Sequence, residues 1–106
     1  VNSVKPEQID NFLRHARRLA SPVVLAHGNH DGWHPYPEFR AMQKAVGGPD
    51  AARFSFDAGR WHVVTVPCNF RYDDPFAEDT LRWLEADLAA ADGRPTVALV
   101  HYHLMP

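Results

Sequence analysis

Apolar residues recur at helical spacing in three segments of the chain. These segments run from Pro6 to Leu19, from about Tyr36 to Val46, and from Phe76 to Ala91. Positions three and four apart share one face of a helix, so each segment is predicted to be an amphipathic helix. Pro22 is expected to end the first helix, and the run 47–49 (Gly-Gly-Pro) the second. The apolar face of the third helix consists of Leu81, Leu84 and Leu88.

Four other segments have the patterns of β-strands. Val23 to Ala26 and Thr96 to Val100 are uninterrupted apolar runs, which are typical of strands buried on both faces. Arg53 to Asp57 and Trp61 to Val66 are separated by a short segment containing Ala58 and Gly59, a pattern that predicts a hairpin. Because helices alternate with strands, we expect an α/β fold: a mixed β-sheet in layers with flanking helices.

Composition narrows the class of protein without naming a function. The chain has 106 residues, of which 45% are apolar, enough for the core of one small domain. Its net charge of −2 provides no basic patch for nucleic acid, and no apolar run reaches the roughly 18 residues of a membrane span. Cys68 is the only cysteine, so an internal disulfide and a thiolate metal cluster are both excluded, and a structural thiol is favoured.

The residues with the clearest chemistry follow two of the apolar runs. Gly28-Asn29-His30-Asp31 comes soon after Ala26, and His101 directly follows Val100. Ligands of open α/β sheets bind at the carboxyl ends of strands. A glycine permits the sharp turn, an asparagine amide oxygen suits a hard divalent metal, and an imidazole beside the metal can protonate a leaving alkoxide.

In both places the chain resembles the calcineurin-like metallophosphoesterases. That family has a Gly-Asn-His-Asp motif after a strand and a metal-binding histidine at the end of a later strand, where Asn29 and His101 stand here. The resemblance implies a hydrolase of phosphate esters in which these two residues bind metal in a centre of two divalent ions, either Mn, Fe or Zn. By the same resemblance His30 is the catalytic imidazole, and Asp31 steadies the loop behind the metal ligands.

The resemblance covers only part of the family's motif set. The Asp-x-His and Gly-Asp motifs that open the family pattern, and the Gly-His-x-His motif that closes it, do not occur in this sequence. We therefore expect residues 1–106 to be the central part of one phosphoesterase domain, a fragment of a four-layer α/β/β/α sandwich that is inactive alone. The alternative is a non-catalytic remnant or binding module with the same fold. The substrate, its class of phosphate ester, the oligomeric state and the compartment are not indicated.

Most of the seven histidines are expected to have no role in the site. His15 is predicted to be a surface residue of the first helix, and His62 to pack outward from its strand. A structural role is favoured for His27 over one lining the site. His34 and His103 are candidates for the substrate pocket, because one follows the motif loop and the other is two residues beyond His101.

Overall fold

The fold is mixed α/β, with three helices and three strands in the described residues. A computed structural model describes residues 5–32, 35–69 and 76–102. In chain order the elements are α1 (Pro6–Ala16), α2 (Pro37–Ala45), β1 (Phe54–Ala58), β2 (Trp61–Val66), α3 (Glu78–Ala90) and β3 (Thr96–Val100). None of these helices has the length and apolarity needed to cross a membrane.

The sheet is mixed, as predicted, and β2 is its central strand. β1 pairs with β2 in antiparallel register, and β3 pairs with β2 in parallel register, with Val66 opposite Val100. The hairpin between β1 and β2 turns through two residues, and the first of them, Gly59, has a φ of 60°, the left-handed conformation that such turns require. The predicted hairpin and the last strand are thus confirmed. The second helix, predicted from about Tyr36 to Val46, is also confirmed and spans Pro37–Ala45.

A small apolar core lies between the first two helices and the chain that joins them. Its buried members are Tyr36, Phe39, Met42 and Ala52, and the partly buried Ile9, Phe12 and Leu25 pack against them. Val64 and Val66 of β2 are buried as well.

The predicted strand Val23 to Ala26 is wrong for this structure. Residues 22–28 have no regular secondary structure, Val24 is 39% exposed and Ala26 is exposed. The backbone N–H of Leu25 donates to the side-chain oxygen of Gln43 at 3.1 Å, so a buried side chain of α2 takes the place that a neighbouring strand was expected to occupy. The apolar run indicates an extended segment, but it does not determine whether a neighbouring strand pairs with that segment.

Helix α1 also ends earlier than predicted. The helix stops at Ala16. After it, the backbone N–H groups of Arg18 and Leu19 donate to the carbonyls of His15 and Ala16, the i to i−3 hydrogen bonds that are common where a helix ends. Leu19 is 62% exposed, so no packing contact holds a further turn in place.

Helix α3 makes hydrogen bonds and ion pairs to its neighbours through polar residues, while two of its three predicted core leucines are exposed and Leu84 is partly buried. Leu81 and Leu88 are 47% and 42% exposed, whereas Thr80 is buried. Near the start of the helix, Asp79 pairs with Arg53, the residue before β1, at 2.8 Å, and Thr80 accepts a hydrogen bond from the same guanidinium. Polar partners on the hairpin therefore determine which face of the helix turns inward.

His62 is the centre of this polar contact, and its predicted outward packing is wrong. The residue is 7% exposed; its Nδ1 lies 2.9 Å from Asp57 and its Nε2 lies 2.7 Å from Asp87 of α3. Asp87 also accepts a hydrogen bond from Ser55, and Asp57 pairs with Arg94. Two carboxylates require both ring nitrogens to donate, so this geometry favours the imidazolium ion.

The stability of the fold should consequently fall as the pH rises through the pKa of His62. The hydrogen bonds to Asp57 and then Asp87 raise that pKa above its usual 6.5. Because the folded chain binds the proton more tightly than the unfolded chain, this contribution is complete below about pH 6.5 and is lost above the raised pKa. We expect the stability of the parent chain to fall as the pH rises above about 6.5, and His62→Gln to remove that fall, as measured by urea unfolding.

The matched control is His15→Gln, which changes an exposed histidine of α1 and should leave the pH dependence as it is. Parallel pH profiles for the parent chain and His62→Gln would contradict the assignment of a charged histidine at this position.

Candidate functional site

The Gly28–Asp31 segment forms a tight turn closed by its own residues. The backbone N–H of Gly28 donates to Oδ2 of Asp31 at 2.9 Å, and the backbone N–H of Asp31 donates to the carbonyl of Gly28 at 3.0 Å. Asn29 and His30 lie at the apex, the first half-buried and the second exposed. The Asp31 carboxylate therefore holds the turn closed, with Asn29 and His30 at its apex.

His101 lies directly against this turn. A Cβ placed on Gly28 would be 3.3 Å from Nδ1 of His101 and 3.1 Å from Oδ2 of Asp31, closer than ordinary van der Waals contact. His101 immediately follows β3 and is exposed. The two motifs that are 70 residues apart in sequence thus meet at one point, and the absence of a side chain at Gly28 is what permits the contact.

A buried histidine supports the turn from below. His27 is completely buried; its Nε2 lies 3.1 Å from the carbonyl oxygen of Gly32, and its Nδ1 accepts the backbone N–H of Cys68 at 3.3 Å. Burial lowers the pKa of this imidazole. Complete burial and these two hydrogen bonds fit the structural role favoured from the sequence.

Cys68 is part of the same buried layer. Its thiol is 1% exposed, and burial raises its pKa to about 11. Nucleophilic and metal-binding cysteines act as thiolates, so a neutral, buried thiol fits the structural role expected for it.

The donors at the turn suit a divalent metal in kind and fall short in number. An amide oxygen from Asn29 and an imidazole from His101 are ligands that Mn, Fe and Zn accept. Over residues 5–32, 35–69 and 76–102, no group of three or more His, Cys, Asp or Glu side chains is arranged to hold a metal ion. A complete centre would need ligands beyond those that this part of the chain provides.

Two predicted site residues cannot be placed. His34 and His103, the candidates for the substrate pocket, lie outside the described residues. Asn29, His30, Asp31 and His101 lie within them, at or beside the turn.

A scan against models of protein families and searches of curated proteins and of solved structures found no match to this chain. Its resemblance to the calcineurin-like phosphoesterases therefore rests on the motif residues of the sequence alone.

Substituting Gly28 should push the turn and His101 apart. In Gly28→Ala the new methyl group would meet both the His101 ring and the Asp31 carboxylate, and we expect a loss of about 1–3 kcal/mol in the free energy of unfolding. The ring signals of His101 in a ¹H–¹³C NMR spectrum should shift with it.

Gly59→Ala is the matched control. Nothing lies within 4 Å of its Cβ position, but its φ of 60° makes alanine costly by about 1–2 kcal/mol, at the opposite end of the sheet from His101. It should lower stability to a similar extent without moving the His101 signals. If Gly28→Ala also left those signals in place, the packing of His101 on the turn would be refuted.

Proposed function

We propose that the protein is a metal-dependent phosphoesterase, in which this chain supplies part of a centre of two divalent ions. The observation that supports the proposal is the close approach of His101 to Gly28, the residue that precedes the proposed ligand Asn29. Two ions bound there would supply the positive charge that activates water and stabilises the phosphate oxygens. The family's four-layer sandwich, with residues 1–106 as its central part, is the corresponding proposal for the whole domain.

Each residue of the turn then has a separate task. Asn29 would contribute a neutral oxygen to the ions, and His101, beside the turn, would contribute an imidazole nitrogen. His30 is exposed at the apex, where its imidazole can reach a bound phosphate ester and donate a proton to the leaving alkoxide oxygen. Asp31 holds the turn closed through the N–H of Gly28, so that these side chains keep their relative positions.

Loss of the His30 proton donor should reduce kcat much more than KM. With the chain in its natural sequence context and Mn²⁺ present, we expect His30→Asn to lower kcat on an aryl phosphate or a phosphodiester by about 10²- to 10⁴-fold. His101→Ala should abolish metal-dependent turnover, and a chelator should do the same to the parent protein. His15→Asn, on the exposed side of α1, is the control that should keep full activity. Full activity in both site variants would refute the proposal.

Metal binding by the 106-residue chain distinguishes this function from a non-catalytic module. Two donors are fewer than a dinuclear centre takes, so the isolated chain should bind Mn²⁺ weakly, and His101→Ala should weaken that binding further. Isothermal titration with Mn²⁺ measures both. A binding module that has lost the metals would show no difference between the parent chain and His101→Ala, whereas tight binding of two ions would contradict the need for additional ligands.

A further inference from the structure

The imidazole of His27 joins the two ends of the motif turn. His27 precedes Gly28 and Gly32 follows Asp31, and the 3.1 Å contact from Nε2 of His27 to the carbonyl of Gly32 spans the base of the loop. The other ring nitrogen accepts the N–H of Cys68, two residues beyond β2. One side chain therefore ties both ends of the turn to the central strand of the sheet.

This pair of hydrogen bonds is compatible with a single form of the ring. A carbonyl requires a donor at Nε2, and a backbone N–H requires an acceptor at Nδ1, which together specify the neutral Nε2–H tautomer. The ring is also held by its neighbours, with the Tyr36 centroid 4.5 Å away and the Phe39 ring edge-on at 5.1 Å. Rotation of the imidazole would break both hydrogen bonds in a fully buried position.

We propose that His27 is a positioning residue that holds the Gly28–Asp31 turn in register with His101, a role whose catalytic consequence rests on the function proposed above. The sheet fixes His101 through β3 and fixes Cys68 through β2. Residues 22–28, in contrast, have no strand partner to fix the turn. His27 supplies the missing connection, because its hydrogen bond to Cys68 attaches the loop to the end of β2, the strand that also positions β3.

Two variants distinguish the effect of the hydrogen bonds of His27 from the effect of its side chain filling the core. His27→Leu retains apolar bulk but offers neither a donor nor an acceptor, whereas His27→Gln offers both. In the metal-free chain, His27→Leu should increase hydrogen exchange at the amides of Gly28 and Asp31 by about tenfold or more, while the amides of β2 remain protected. His27→Gln should restore most of that protection.

Mn²⁺ affinity provides the second measurement. Removing a residue that orients a metal ligand typically weakens metal binding by about 10- to 100-fold, and we expect this in His27→Leu and not in His27→Gln. Cys68→Ala is the control: it removes the thiol, whose sulfur lies 3.7 Å from the His27 carbonyl oxygen and 3.9 Å from Nδ1, but it leaves the backbone N–H that the imidazole accepts, so it should change both measurements far less than His27→Leu.

The outcomes are distinct. Unchanged exchange at Gly28 and Asp31 in a folded His27→Leu variant would overturn the proposal, as would a long-range ¹H–¹⁵N spectrum of the parent chain in which His27 carries its proton on Nδ1. That spectrum decides the matter even if the leucine variant does not fold. Faster exchange in a protein that never hydrolyses a phosphate ester would uphold the positioning role and refute the proposed function alone.

Discussion

The parallel pairing of β2 with β3 is the constraint on which the site depends. Strands that run in the same direction bring their carboxyl ends to one edge of a sheet, and the register that places Val66 opposite Val100 puts Pro67 beside His101 at that edge. Cys68, one residue further along, binds His27 and with it the motif turn. A slip of one residue in this register would move His101 to the other face and separate it from Gly28.

Local patterns in the sequence were sufficient to predict the elements whose partners are close in the chain. The hairpin between β1 and β2 follows from alternating residues and a two-residue turn, and β3 follows from an apolar run of strand length. The placement of His101 at the end of β3 was predictable for the same reason. That Asn29 and His101 would lie at one metal centre was only an expectation from the resemblance, since nothing local in the sequence specifies which loop meets a strand end.

The failures share a physical origin, which is that polar side chains compete with apolar patterns for the interior. Val23 to Ala26 resembles a buried strand, yet it lies outside the sheet, and the N–H of Leu25 donates to the side chain of Gln43 instead. The leucines of α3 have helical spacing, yet Asp87 turns inward because His62 and Ser55 offer it hydrogen bonds. Periodicity records where apolar residues stand and carries no information about a polar partner 25 or 30 residues away.

The two buried histidines show how partner chemistry decides the state of the same side chain. His62 lies between two carboxylates and gains from a positive charge, whereas His27 lies between a carbonyl and a backbone N–H and is suited to the neutral ring. A neutral His27 adds no positive charge beneath the turn, so it would not repel a cation bound there. Asp31, the carboxylate of the turn, already accepts the N–H of Gly28. The turn is therefore assembled by backbone hydrogen bonds and one internal carboxylate. In the proposed function, Asn29 and His101 would be the donors through which a metal ion joins the loop to the sheet.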